Sequence, residues 1–456
     1  MPTVTQRYAT SLPHSVEDVW AWHARPGAFA RLAPPWEDMT FVDGDQGLDV
    51  GAQTVFRIKK AGVPITWEAL HTVCEPPNLF VDEQQKGPFA AWRHEHHFQP
   101  TEAGGCRMED AITWTPPGGP FGAVAVPSLK GVNDRMFRYR HRRTRQDLAR
   151  HAAYADRPRL RIAITGATGL VGSALAAFLT TGGHEVVRVT RRKREHGDCV
   201  WDVKAGTIDL EALQGVDAVV HLAGAPVSER WTDAHKQAIR ESRVDGTRLI
   251  VEAIGQLDPK PRVLVSASAI GRYGPSDDRE LTEDSPAGDD FLSEVATAWE
   301  AEAEAVRAHG TRLVIPRIGI VTTAAGAALA TMLPLFRAGA GGPIGTGDQW
   351  ISWISLDDLV ALLHGALFEE DWSGPVNAVA PNPLPQKEQA RVLGQVLGRP
   401  AIVPTPAAAI RTALGEMGEV LVLGGQRVVP ARAQEWGFRF EHTDYADAVR
   451  ATLGLA

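Results

Sequence analysis

Cysteine is scarce in this 456-residue chain: Cys74, Cys106 and Cys199 stand far apart and share no metal-ligand spacing. That excludes a disulfide framework and a thiolate zinc site, and it fits a reducing compartment. Long apolar runs are missing as well. No stretch approaches the ~20 residues that span a bilayer, so no membrane association is expected. Nor is there an excess of basic charge. Against 47 Lys and Arg stand 55 Asp and Glu, a formal net charge of −8, which argues against a nucleic-acid partner. The opening residues, MPTVTQRYATSLPHSVEDVW, lack the basic and apolar regions of a signal peptide, and a cytoplasmic location is expected. Tandem repeats and low-complexity tracts are absent too. With 44% hydrophobic and 22% charged residues, the chain reads as globular, and its length suits two or three domains.

What is present falls into two halves with different habits. Up to Ala153, short β-like runs lie between a helix at each end. Ser15 and Asp18 in SVED read as a helix N-cap and its partner one turn on. TVFRIKKAGVPITWEALHTV reads as a hairpin about KKAG, and AAWRHEHHFQPTEAGGCRMEDAITWTP as a second about EAGG. The basic helix NDRMFRYRHRRTRQDLARHAAY closes the unit. Helix, strand meander and long closing helix is the order of an α+β helix-grip fold. These features predict a first domain over 1–153 and a polar linker over 154–159, which contains Pro158. From 160 to 456 apolar strands alternate with helices, the pattern of an α/β, doubly wound parallel sheet of Rossmann type.

The strongest chemical motif is ITGATGLVGSAL, between a strand and a helix. Gly166 permits the tight turn, Gly169 lets backbone approach a pyrophosphate, and Gly172 allows close helix–strand packing. The helix start, with Thr168, Leu170 and Val171, offers free N–H groups and a positive dipole end to phosphates. After the second strand comes VVRVTRRKR. In place of the acid that binds a ribose 2′-hydroxyl stand Arg191, Arg192, Lys193 and Arg194, and arginine forks suit a 2′-phosphate. NADP(H) is therefore the expected cofactor.

TGATGLVG, HLAG and the SRVDGT helix resemble the extended short-chain dehydrogenases. WDVKAGTIDLEAL, DAVVHLAGAPV, PRIGIV, WISWISLDDL, GPVNAVAPNP and GQRVVPARAQEWGFRF resemble its atypical sugar-nucleotide-epimerase-like group, the NAD-dependent epimerase/dehydratase or cell-division-inhibitor-like proteins. LPHSVEDVWAWHARPGAFARLAPPW and MFRYRHRRTRQDL resemble the START-like polyketide cyclase/dehydrase superfamily. The first resemblance implies a Ser or Thr after the fourth strand, a Tyr-x-x-x-Lys pair on the next helix and an Asn on the helix before. Ser268 in SASAIGRYG matches the serine. With Glu300 as the landmark, Leu292 and Ala296 stand at the tyrosine and lysine, and Arg243 at the asparagine. None of the five tyrosines, Tyr8, Tyr139, Tyr154, Tyr273 and Tyr445, has a lysine four residues on. A positioned acid–base group contributes roughly 10²–10⁴ to a rate, so its loss is consequential. Tyr273 and Arg243 are the candidate replacements, against a structural role for the first and a surface or cofactor-phosphate role for the second.

Further cofactor contacts are expected from Leu222, Ala223 and Gly224 of HLAG, and by fold analogy from Ile318 of PRIGIV. Arg230 is either a phosphate contact or an ordinary surface arginine. Asp357 and Asp358 are expected in the first turn of a helix, and Trp350 and Trp353 as core or as pocket lining. In RHEHHF, His94 and His96 share one strand face, and Glu95 and His97 the other. With no clear third ligand, no metal is expected and the strand reads as a polar cavity wall. The arginines of RYRHRRTR read as a solvated face of the closing helix. The expected partner is a small-molecule substrate, with an apolar ligand as a candidate for the first domain; oligomeric state is unreadable. Two functions follow: an NADP(H)-dependent oxidoreductase or epimerase acting on a carbonyl or nucleotide-sugar-like substrate, or an NADP(H) sensor or ligand carrier without turnover.

Overall fold

The structure, a computed structural model, describes residues 3–44, 47–60, 62–192 and 197–456. It divides into two compact units, Met1–Arg157 with Ala177–Gly183 and Ala451–Ala456, and Pro158–Ala176 with His184–Arg450. No helix among the described residues is long and apolar enough to cross a membrane.

In the first unit, strands β1 (Val4–Leu12), β2 (Met39–Gly44), β3 (Gln53–Lys60), β4 (Val63–Glu75), β5 (Leu79–Lys86), β6 (Ala91–Pro100) and β7 (Cys106–Thr115) form one antiparallel sheet in the order β1-β7-β6-β5-β4-β3-β2. Helices α1 (Val16–Ala24) and α2 (Ala28–Leu32) follow β1, and α3 (Val126–Ala152) closes the unit. The register shifts in β2–β3 and β4–β5 are bulges, which bend and twist a sheet. Along β6 the alternation is strict, so that Trp92, His94, His96 and Phe98 turn inward together. Two apolar clusters fill the inward face: Trp92, Ile112, Trp114 and Phe137, and Val19, Trp22, Phe80, Phe98 and Leu148. Ser15 caps α1 as expected, accepting from the Asp18 N–H at 3.1 Å. Two features depart from the sequence reading. A strand precedes the first helix, because β1 turns Gln6 rather than an apolar residue into the interior and so hides its period of two. The basic face of α3 is also only partly solvated. His141 and Arg143 are buried, and the Arg143 guanidinium lies 5.3 Å from the Tyr139 ring centroid, its stem packed in the interior.

The second unit carries β8 (Arg161–Thr165), the part of α4 (Leu170–Thr181) up to Ala176, β9 (Glu185–Thr190), β10 (Cys199–Asp202), β11 (Thr207–Ile208), α5 (Leu210–Leu213), β12 (Ala218–His221), α6 (Asp233–Gln256), β13 (Val263–Ser266) and β14 (Ser268–Ala269). Then follow β15 (Glu280–Leu281), α7 (Phe291–Glu304), β16 (Arg312–Ile318), β17 (Ile320–Thr322), α8 (Ala327–Arg337), β18 (Trp350–Ile351), β19 (Trp353–Ser355), α9 (Leu356–Phe368) and β20 (Gly374–Ala378). The sheet order is β11-β10-β9-β8-β12-β13-β16-β14, with β20 beside β16; apart from the antiparallel β10–β11 edge its ladders are parallel. The strand order reverses between β8 and β12. In such folds ligands bind outside the carboxyl ends of the strands at that reversal.

Candidate nucleotide site and a second polar cluster

The glycine turn sits at that reversal. Gly166 has φ +67°, a left-handed conformation glycine adopts without strain. A Cβ there would also lie 3.0 Å from the Leu222 carbonyl and the Ala223 nitrogen. At Gly172 a Cβ would stand 2.2 Å from the Gly166 oxygen, so only glycine lets α4 approach the turn this closely. Gly169 differs. A Cβ there would meet the Gly166 oxygen at 3.3 Å and, chain neighbours aside, no other described heavy atom within 4 Å. Its outer side is open, and Thr168 beside it is exposed. Two closed glycines and one open one at the start of a helix make a cradle that fits a dinucleotide pyrophosphate.

Thr165 ties this turn to the next strand. Its Oγ1 accepts from the Leu222 and Ala223 N–H groups at 3.0 and 3.1 Å, and meets His221 Nδ1 at 2.8 Å. Those two donors leave the Thr165 hydroxyl hydrogen for Nδ1 and so put the His221 proton on Nε2, which is buried without a partner among the described residues. Burial, then the neighbouring Arg243 charge, pushes the His221 imidazole down to about 4.

Arg243 reaches the same loop from α6. Its Nη1 donates to the Ala225 carbonyl at 3.0 Å and the Ile239 carbonyl at 3.2 Å, and a Cβ on Gly224 would stand 3.0 Å from Cζ. The guanidinium lies 5.2 Å from the Trp299 ring centroid on α7, and the buried Trp299 Nε1 has no partner among the described residues. Burial lowers Arg243 to about 10, so it stays cationic at neutral pH.

Ser268 and Tyr273 belong to a different neighbourhood. Ser268 Oγ donates to Glu300 Oε1 at 2.7 Å, and Arg317 grips both Glu300 oxygens at 2.9 Å. Tyr273 is buried; its hydroxyl donates to Asn377 Oδ1 at 2.7 Å and accepts from Arg317 Nη1 at 2.8 Å. Burial raises the phenol above its ordinary value. Both hydroxyls are thus committed inside a largely buried Glu300–Arg317–Tyr273–Asn377 network. Of these partners only Glu300 was singled out in the sequence, as a landmark; Arg317 and Asn377 fall in PRIGIV and GPVNAVAPNP, on β16 and β20, which carried the resemblance but gave neither residue a role. Leu292 packs with Trp231, Phe291 and Val295 in an apolar cluster, and Ala296 is buried. Both positions lack a titratable group.

The other predicted positions are scattered. Arg191 and Arg192 are exposed just after β9, while Lys193 and Arg194 lie outside the described residues. Arg230 is exposed on the loop before α6. Leu170 and Val171 are half-buried at the start of α4, and Ile318 ends β16 opposite Ala269 of β14. Trp353 is fully buried and hydrogen-bonds the Asn382 carbonyl, so it is core and lines no pocket. Ser355 caps α9, with Asp357 and Asp358 in its first turn as expected.

In the first unit the inward face of β6 meets two carboxylates that sequence reading did not place there. Asp82 arrives from β5 and Asp110 from β7, each the register partner of a β6 histidine. Asp110 Oδ1 stands 2.8 Å from both His94 Nε2 and His96 Nδ1, and its Oδ2 is 2.6 Å from His141 Nε2 of α3. Asp82 Oδ2 is 3.3 Å from His94 Nδ1 and from His96 Nε2. The one available signal was the alternation of RHEHHF, which pointed inward but named no partner. Glu95 and His97 pair with each other on the opposite face, at 3.0 Å.

Comparison with known proteins agrees with both units. Residues 162–377 match the NAD dependent epimerase/dehydratase family, 405–452 a domain of unknown function (DUF1731), and 12–138 the polyketide cyclase / dehydrase and lipid transport family. The chain is 41% identical over 303 residues to the chloroplastic epimerase family protein SDR39U1 homolog of Arabidopsis thaliana, covering 64% of this chain and 86% of that one. A nucleoside-diphosphate sugar epimerase of Corynebacterium glutamicum superposes with a TM-score of 0.81 at 33% identity, over 98% of this chain and 90% of that one. The human epimerase family protein SDR39U1, solved with NADPH, gives 0.59 at 34% identity over 64% of this chain and 99% of that one. With the cradle at the strand reversal and these likenesses together, the chain belongs to the NAD dependent epimerase/dehydratase family, with a polyketide-cyclase-like domain ahead of the Rossmann-like unit.

Proposed function

We propose that the second unit binds NADP(H) and serves hydride exchange with a carbonyl or nucleotide-sugar-like substrate, without a Tyr-x-x-x-Lys pair. The observation that carries this reading is the glycine cradle beside a guanidinium with no carboxylate partner among the described residues. Gly166, Gly169 and Gly172 hold the pyrophosphate, with the backbone of Thr168, Leu170 and Val171 at the helix start. Leu222, Ala223 and Gly224 line the approach, Ile318 flanks the strand ends, and Arg191 and Arg192 take the 2′-phosphate; Arg230 is a further phosphate contact. The human relative solved with NADPH supports the choice of NADP(H). When bound, the nicotinamide supplies or accepts the hydride.

Arg243 brings a cation from α6 over Trp299, three residues beyond Ala296, where the resemblance expected lysine. A guanidinium there stabilises an oxyanion developing on a carbonyl. The unpartnered Trp299 Nε1 and His221 Nε2 are further buried donors in search of an acceptor. Ser268 and Tyr273 hold Glu300 and Arg317 rather than a reacting oxygen, and the proton comes from water or substrate. The test is stereospecific transfer of deuterium from 4-deuterated NADPH to a panel of carbonyl and nucleotide-sugar compounds. Transfer that Arg243→Met reduces at least ~100-fold in kcat supports the reading; transfer that Arg243→Met leaves intact removes Arg243 from it.

One observation favours a second reading. The hydroxyls nearest the expected reaction centre are already engaged, which suits an NADP(H) sensor without turnover. Tight NADPH binding with no transfer to any compound in the panel would establish that alternative. In either case we assign the protein to the cytoplasm, with a small-molecule ligand and neither nucleic acid nor membrane as partner.

A further inference from the structure

The polar cluster of the first unit has the construction of a metal centre. We propose that Asp82, His94 and His96 bind one divalent first-row transition ion, with Zn(II) the best match, and that Asp110 and His141 form the support behind it. Asp82 Oδ2, His94 Nδ1 and His96 Nε2 lie within 4.8 Å of one another, and both Asp82–histidine separations are 3.3 Å. Tetrahedral Zn(II) with bonds of ~2.0–2.1 Å to nitrogen and oxygen places neighbouring donors about 3.3–3.4 Å apart. A charge-assisted hydrogen bond would draw the same atoms to ~2.7–2.9 Å. The Asp82 side therefore has the spacing of ligands, and the Asp110 side, at 2.8 Å, has the spacing of hydrogen bonds.

That asymmetry is what a metal-binding histidine requires. Its second nitrogen donates to a carboxylate, which fixes the tautomer and aims the first nitrogen at the ion. Here one carboxylate, Asp110, serves both histidines, and His141 steadies its other oxygen. His94, His96, Asp110 and His141 are all buried, so the rings have little freedom to turn away. Phe80 stacks on His96 at 3.9 Å between centroids, and Phe137 stands edge-on to His94 at 5.2 Å. Three protein ligands leave a fourth position for water or a ligand oxygen, as in catalytic rather than structural sites. His71, the register partner of Asp82 on β4, has a buried Nδ1 with no partner among the described residues and borders that side.

The test is made on the full chain, freed of metal by chelation and dialysis. Titration with ZnCl2, followed by calorimetry, is expected to show one equivalent bound with Kd of about a micromolar or tighter. The His94→Ala/His96→Ala double variant is expected to lose at least ~100-fold in affinity, and Asp110→Asn about 10–100-fold. His97→Ala, on the outer face, should bind like the parent. Should the double variant fail to fold, Co(II) added to the parent chain decides. Intense visible d–d bands of a four- or five-coordinate ion support the site, and only weak six-coordinate bands overturn it. Less than a tenth of an equivalent of zinc on the parent chain, or equal affinity in the folded double variant, also overturns it.

Discussion

Gly172 and Gly169 sit three residues apart in one motif, yet a methyl group has opposite consequences at the two. At Gly172 it would meet the Gly166 carbonyl at 2.2 Å, a backbone atom that cannot step aside without moving the turn. Gly172→Ala should therefore cost about 1–3 kcal/mol by overpacking and weaken NADPH at least tenfold, read by denaturation and by titration. Gly169→Ala should leave stability almost unchanged and impair NADPH alone, because the contact it obstructs is the ligand's. His221 makes a second residue-scale prediction. Its folded pKa, about 4, lies below the ordinary 6.5, because burial and then Arg243 oppose the imidazolium. The unfolded state thus binds the extra proton between those values, so stability is complete above pH 6.5 and falls as pH drops towards 4. The loss reaches about 3 kcal/mol. His221→Gln should lessen the pH dependence of the unfolding midpoint over that window, the remainder falling to His23, which burial also holds at about 4; an unchanged slope would show that His221 does not contribute to it.

At the scale of elements, α7 and β16 are locked by Arg317 holding Glu300. Arg317→Ala would take the two-pronged partner from a largely buried carboxylate, leaving Glu300 with Arg272 at 3.3 Å, and would remove the donor to the Tyr273 hydroxyl, a loss of about 3 kcal/mol on denaturation. Ser268→Ala removes one hydrogen bond to a charged acceptor and should cost only about 2 kcal/mol. If Ser268 has the supporting role proposed, any activity should fall no further than the folded fraction does. This network also marks the limit of what sequence reveals. Ser15, the RHEHHF alternation, both hairpins and the glycine turn are local features, and each was readable because its cause lies within a few residues. Arg317 reaches Tyr273 across 44 residues, and Tyr273 reaches Asn377 across 104, with no periodicity linking them. Strands β1 and β5 were unreadable for a related reason: β1 turns Gln6 inward, and β5 buries the adjacent Phe80 and Val81 before its acidic run. Without β5, Asp82 could not be placed beside His94 and His96.

For the whole molecule, two folds present two different constellations, a glycine cradle and a buried histidine–aspartate cluster. Neither depends on the tyrosine and lysine that the family resemblance led one to expect, and Leu292 and Ala296 are packed as apolar residues would be. The central claim is that the second unit is a site for NADP(H) despite that loss. Its most direct test is equilibrium titration of the full chain with NADPH and with NADH, repeated on Arg191→Ala/Arg192→Ala. The account predicts that NADPH binds at least tenfold more tightly than NADH, about 1.4 kcal/mol, and that the double substitution erases the difference while NADH affinity stays the same. Equal affinity for the two nucleotides in the parent chain would contradict it.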